Sequence, residues 1–180
     1  MAQPLTRTQI TSLAIEARKA FDTLDASETE AIRARLAAKQ EDDGDPFACA
    51  ATVKATAVFE AWRREQTAAA LKAAGKKPTD SFKALTQNDF LWVRAHFVRF
   101  CDPEAAAKIA QTALADDRKR FLWVIRRECE SSGRMAYPEY PEGICRAQYG
   151  CRLESAHIDQ LRRILFTIRN RKKSKNNEKA

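Results

Sequence analysis

The chain has 180 residues, 44% of them hydrophobic and 31% charged, with only 5 Gly and 6 Pro. This is globular, helix-forming composition rather than that of a disordered chain. The formal charge of +8 is placed unevenly: residues 1–116 carry 16 Lys+Arg and 16 Asp+Glu, whereas 117–180 carry 16 and 8.

The first helix is predicted from about Thr6 to Leu24, with Ile10, Leu13, Ala14, Ala17, Phe21 and Leu24 forming one apolar stripe. Ser27-Glu28-Thr29-Glu30 reads as a capping box opening a second helix, through about Gln40. Residues 41–45 read as an acidic, solvated loop without calcium-ligand spacing. Asp45-Pro46 then predicts a long third helix, from Pro46 to Ala74, with Gly75 as its C-terminal cap.

Lys76-Lys77-Pro78-Thr79-Asp80 is the best linker by composition. It suggests an N-terminal helical region over 1–75 and a C-terminal helical region over 81–171, as two domains or as parts of one. Thr86 or Asn88 is expected to cap a fourth helix, and Asp102-Pro103 to open a fifth, ending near Ala115. Asp116 or Asp117 would then cap a sixth helix, ending at Ser132 before Gly133. Tyr137-Pro138-Glu139-Tyr140-Pro141 should not be helical throughout, since each Pro pushes its predecessor to extended geometry. A short helix over 142–149 closes at Gly150, and Ser155 is expected to cap a last helix to about Arg171. Residues 172–180 read as a disordered basic tail. The expected fold is therefore all-α, a bundle of seven or eight helices with a basic C-terminal hairpin. Phe-Leu-Trp-Val occurs at 90–93 and at 121–124, and four matching residues do not establish a duplication.

No apolar run approaches the ~20 residues that span a bilayer, and the first residues lack a signal-peptide core. A cytoplasmic protein without a membrane partner is expected. Its five cysteines, Cys49, Cys101, Cys129, Cys145 and Cys151, then read as free thiols.

The basic residues form three groups. The predicted sixth helix carries Arg118, Lys119, Arg120, Arg126 and Arg127. The last helix carries Arg162, Arg163, Arg169 and Arg171, and the tail adds Lys172, Lys173, Lys175 and Lys179. At 100° per residue, Ile158, Leu161, Ile164, Leu165 and Ile168 fill the core-facing arc of the last helix. Arg162, Phe166 and Arg169 share its flank. An aromatic between two guanidiniums suits phosphate contact with base stacking. The plainer reading, preferred here, has Phe166 widening the buried face and the arginines bordering it. As a group the arginines favour a nucleic-acid partner, most simply double-stranded DNA, and an acidic protein is the alternative. A short helix, a Gly-containing turn and a basic helix also fit a helix-turn-helix, although Gly150–Glu154 is longer than the usual 3–4-residue turn.

Three stretches carry a family resemblance: Phe121–Cys129, Ile144–Gly150 and Asp159–Leu165. Their order is an apolar helix, a Tyr-Gly turn, and a helix with Gln before paired aliphatics. In this the region over 118–171 resembles the GemA-type regulatory family of Mu-like prophages. The resemblance implies a phage or mobile-element protein of the bacterial cytosol with a regulatory, DNA-directed role. It carries over no catalytic residue.

Catalysis is not expected. His96 and His157 are the only histidines, and neither sits in a nucleophile motif; His96 reads as a partly buried core residue. There is no phosphate-binding Gly loop, and no cofactor is implied. Cys145, Cys151 and His157 are spaced six apart, with Cys129 upstream, but zinc sites usually carry close pairs such as Cys-x2-Cys. Two partly buried thiols and a surface histidine are expected instead of a metal site.

Overall fold

The computed structural model describes residues 3–43, 49–133 and 135–177, with side chains as far as Arg171. Among these the fold is all-α: seven helices, three short 3-10 turns and no strand beyond an isolated bridge between Pro4 and Thr86. The chain divides into two compact units, 1–112 and 113–180. Lys76–Asp80 therefore lies inside the first unit and separates nothing.

The first unit holds α1 (Arg7–Phe21), α2 (Ala26–Asp42), α3 (Ala55–Ala73), α4 (Gln87–Val98) and the opening of α5 (Pro103–Ser132). Thr6 and Gln9 form a reciprocal capping box at α1. For α2 the cap is Asp25 rather than Ser27. Its carboxylate accepts from the Glu28 amide at 2.8 Å, and the Glu28 carboxylate accepts from the Asp25 amide at 3.0 Å. Ser27 instead donates to Asp25, so the capping-box pattern is met two residues earlier.

α3 is shorter than its pattern suggests. A 3-10 turn over Ala50–Thr52 precedes it, and the expected Asp45-Pro46 start lies outside the described residues. Its end is as expected. Gly75 takes φ +64°, its amide reaches the Lys72 carbonyl, and the Lys76 amide reaches Leu71. That is a Schellman closure, which a residue with a Cβ adopts only under strain. Lys76 then pairs with Asp89, the residue that completes the Thr86 capping box of α4. This contact ties the supposed linker to the fold.

α4 packs on α1 and α3, and α2 packs on α3. The core is centred on aromatic rings: Trp62 meets Phe21, Phe97 and Phe100 at centroid distances of 5.4, 5.8 and 5.5 Å. Leu13, Leu71, Leu85 and Val93 fill the space around them. His96 is half-buried as expected, its Nε2 2.9 Å from the Gln66 side-chain oxygen.

The expected fifth and sixth helices are one, α5. Asp102 does cap it, accepting from the Ala105 amide at 2.9 Å. Asp116 and Asp117 do not interrupt it, because no Gly or Pro lies between 103 and 132 to break the hydrogen-bond ladder. The Asp117 carboxylate pairs with Arg120, one turn on in the same helix, at 3.3 Å.

The second unit continues with α6 (Glu139–Tyr149) and α7 (Ile158–Asn177). α6 begins earlier than expected, taking Tyr140 and Pro141 into its first turn, where the N–H that proline lacks would have no partner anyway. Gly150 ends it at φ +66°. A 3-10 turn over Leu153–Ser155 follows, so Ser155 is not the cap of α7. The start of α7 is held instead by Gln160, whose side-chain oxygen accepts from the His157 amide at 2.7 Å. The backbone of α7 continues past Arg171 to Asn177; residues 178–180, with Lys179, lie outside the described residues. The core of this unit is aliphatic and sulfur-bearing: Ile125, Cys129, Met135, Ile144, Cys145, Leu153, Leu161, Ile164, Leu165 and Ile168.

Candidate nucleic-acid interface

The second unit carries all of the expected basic site residues. Its helices are held by apolar burial on one side, which leaves the charged sides outward. Ile125 and Cys129 face the core from α5, and Leu161, Ile164, Leu165 and Ile168 face it from α7.

Two contacts tie α5 to α7 along their outer edge. The guanidiniums of Arg120 and Arg162 both lie over the Phe121 ring, each 5.6 Å from its centroid. Seven residues further along both helices, Arg169 Nε lies 2.9 Å from Glu128 Oε1. The equal steps mean that the two helices run side by side in the same direction over this stretch. Phe166 lies between Arg162 and Arg169 on the same flank of α7. It is 65% exposed, so it does not widen the buried face as preferred from the sequence. The buried arc of α7 consists of Leu161, Ile164, Leu165 and Ile168, and Phe166 lies beyond it.

The outer side of α5 carries a second pairing. Trp123 is 56% exposed, and the Arg127 guanidinium lies over its ring at 5.3 Å. Trp123 is two residues from both Phe121 and Ile125, so at 100° per residue it points roughly 160–200° away from them. That offset was present in the sequence and was the available sign of an exposed tryptophan. Lys119 and Arg163 are exposed as well.

Not every expected residue joins this surface. Arg118 stands on the side of α5 that carries Leu122 and Ile125. It is half-buried, and its Nη2 is enclosed without a hydrogen-bond partner among the described residues. Arg171 leaves on the opposite flank of α7, donating to the Tyr140 hydroxyl at 2.8 Å. Arg126 pairs with Glu130 at 2.7 Å and lies over Tyr137. Lys172, Lys173 and Lys175 lie on the last turns of α7, their side chains outside the described residues.

Four of the arginines have carboxylate neighbours: Arg120 with Asp117, Arg126 with Glu130, Arg162 with Asp159 at 3.1 Å, and Arg169 with Glu128. The pairs of Arg126, Arg162 and Arg169 face solvent and are each worth about 0–1 kcal/mol, so a phosphate can replace the carboxylate at small cost, whereas Asp117 is buried beside Arg120. The guanidiniums of Arg120, Arg126 and Arg162 are in addition held over aromatic rings, which reduces the ordering that binding requires.

The connection from α6 to α7 runs from Gly150 to His157 and contains a 3-10 turn. It is longer than the 3–4-residue turn of a helix-turn-helix. Glu142 braces it, accepting from the Leu153 amide at 2.7 Å and from Arg146 at 3.0 Å. The Leu153 amide is the main reason that the Glu142 carboxyl titrates below its ordinary range.

The sequence group Cys129, Cys145, Cys151 and His157 does not converge as a whole. Cys145 and Cys151 approach to 3.5 Å, whereas the exposed His157 ring lies 3.7 Å from Asp159. Among the described residues no three His, Cys, Asp or Glu side chains are grouped to hold a metal ion. No described helix is long and apolar enough to cross a membrane. No family model, curated protein or solved structure matches the chain.

Proposed function

We propose that the chain binds nucleic acid, duplex DNA in the first instance, as a regulatory or accessory protein of phage or mobile-element type. The observation that carries this reading is the seam of α5 and α7, where Arg120 and Arg162 share the Phe121 ring and Phe166 stands exposed between Arg162 and Arg169. Guanidiniums held at that edge supply phosphate contacts, and the exposed ring supplies a surface for stacking. Arg127 on Trp123, Arg163 and the lysines at 172, 173 and 175 extend the charge. Residues 113–180 carry 16 Lys+Arg against 9 Asp+Glu, an excess that phosphate neutralises. The GemA-type resemblance of 118–171 is the second support, and it bears on the phage context alone. The reading involves no catalysis and no cofactor.

Salt titration tests it. Five phosphate contacts give a log–log slope of about −4.5 on duplex DNA. Absence of binding at about 50 mM salt, or binding without salt dependence, overturns the proposal. A single-stranded oligonucleotide is the comparison arm, because exposed aromatics beside arginines also suit unpaired bases.

One observation favours a second reading, an acidic protein partner. Exposed Trp123 beside Arg127 has the composition of a protein hot spot. If short duplex DNA fails to displace a captured acidic partner, this second reading replaces the first.

A further inference from the structure

Cys145 lies near the end of α6 and is wholly buried in the core of the second unit. Cys151 follows Gly150 and is half-buried. The left-handed turn at Gly150 folds the chain back, and the two sulfurs come to 3.5 Å. A disulfide needs about 2.05 Å, so closure requires a movement of about 1.5 Å. Cys151 lies in irregular backbone between α6 and the 3-10 turn, where a side-chain rotation can supply most of that movement without displacing a helix.

We propose that Cys145 and Cys151 form a reversible dithiol–disulfide couple that exchanges with low-molecular-weight disulfides. The two thiols have different parts. Burial, and then the contact with Cys151, push the Cys145 thiol up to about 11, so it stays protonated near neutral pH. Cys151 is the one open to solvent. Its thiolate attacks one sulfur of a small disulfide RSSR, the S–S bond breaks, and RS⁻ leaves and takes a proton. The Cys145 sulfur then attacks Cys151 in the mixed disulfide. It loses its proton as the second RS⁻ departs and collects one. The sum is protein dithiol plus RSSR giving protein disulfide plus two RSH, with two electrons passing from the protein to the reagent.

The couple also touches α7. The Cys151 sulfur is 4.0 Å from the Gln160 side-chain oxygen that holds the His157 amide at the start of that helix. Closure removes the S–H that Cys151 offers to Gln160. The proposal stands on sulfur geometry alone and does not depend on nucleic-acid binding.

The test uses the full chain with Cys49→Ser and Cys101→Ser, which removes the two exposed thiols. The protein is equilibrated in glutathione buffers from reducing to oxidising, quenched with acid, alkylated after denaturation and mapped by mass spectrometry. Cys145 and Cys151 should lose alkylation together and appear as one intramolecular cross-link, reversed by reduced glutathione, while Cys129 stays alkylated. With Cys145→Ser added, Cys151 should instead accumulate as the glutathione adduct. Retention of both thiols in the most oxidising buffer overturns the proposal. So does a persistent Cys151 adduct while Cys145 is present, or a cross-link between chains.

Discussion

The two units use the same residue types in opposite ways. In the first, aromatic rings are the core: Trp62 packs edge to face with Phe21 and Phe100 and at a tilt against Phe97. Its arginines tie elements internally, as when Arg94 reaches Glu16 at 2.8 Å and Arg63 lies over Phe82 at 4.5 Å. In the second unit the core is aliphatic with two buried cysteines, and the rings of Phe121, Trp123 and Phe166 stand at or near the surface under or beside guanidiniums. The Phe-Leu-Trp-Val tetrapeptide shows the contrast in miniature. In α4 its Trp92 is half-buried beside fully buried Val93; in α5 its Trp123 is exposed. An aromatic side chain is stable in water only at the cost of unburied apolar area. Where one unit buries its rings and the other displays them, the displayed set is the surface to test for binding.

Mutagenesis can break this comparison, and the largest effect belongs to the first unit. Trp62→Ala should cost about 3–5 kcal/mol of stability in urea denaturation, since it empties the centre of a ring cluster. Phe166→Ala should stay within about 0.5 kcal/mol of the parent by the same measurement. An equally large loss at Phe166 would mean that it is a core residue and the contrast is false. On single-stranded DNA, Phe166→Ala should instead weaken binding by about 1–3 kcal/mol, the worth of one stacked base, read by fluorescence anisotropy. The double change Arg162→Ala with Arg169→Ala should lower the duplex salt slope by about 1 for each lost phosphate contact. An unchanged slope would remove the α5–α7 seam from the interface.

Smaller effects distinguish the units by pH. In the first unit, burial and then Arg99 hold the His96 imidazole below its ordinary value. The unfolded chain therefore takes up the proton first as pH falls. His96 contributes full stability above about 6.5 and loses it as pH declines from there. His96→Gln should flatten that part of the profile. In the second unit, Glu142 has a lowered carboxyl pKa, so its contribution is present above the ordinary carboxylate value of about 4.3 and is lost as pH falls through its lower folded value. Thermal melts of Glu142→Gln should lack this acid-side loss. At the start of α2, Asp25→Ala should cost about 1 kcal/mol through the lost cap, and Ser27→Ala less.

Elements were more legible than edges. Apolar spacing located the helices, and Gly75, Thr86, Asp102 and Gly150 ended or opened them as their chemistry requires. Cap identity was harder to read, because Asp25 and Ser27 both stand three residues before a glutamate. The Asp116-Asp117 pair resembles a start signal only until Arg120 is seen to engage Asp117 within a continuous helix. The candidate site was legible as a set of charges, and Phe166 was singled out, but its exposure was not. A helical wheel orders side chains around one axis and does not say how wide an arc the neighbouring helices cover.

Local chemistry thus determined the all-α class, most helix positions and the basic bias of the last third, because propensity, capping and charge belong to neighbouring residues. Tertiary structure alone decided that Lys76–Asp80 is internal and that Arg120 and Arg162 meet on one ring. It also decided that Arg118 turns inward and that Cys145 and Cys151 face each other. Each of these depends on groups distant in sequence or on a chain reversal, and so on which surfaces the packing of helices leaves open.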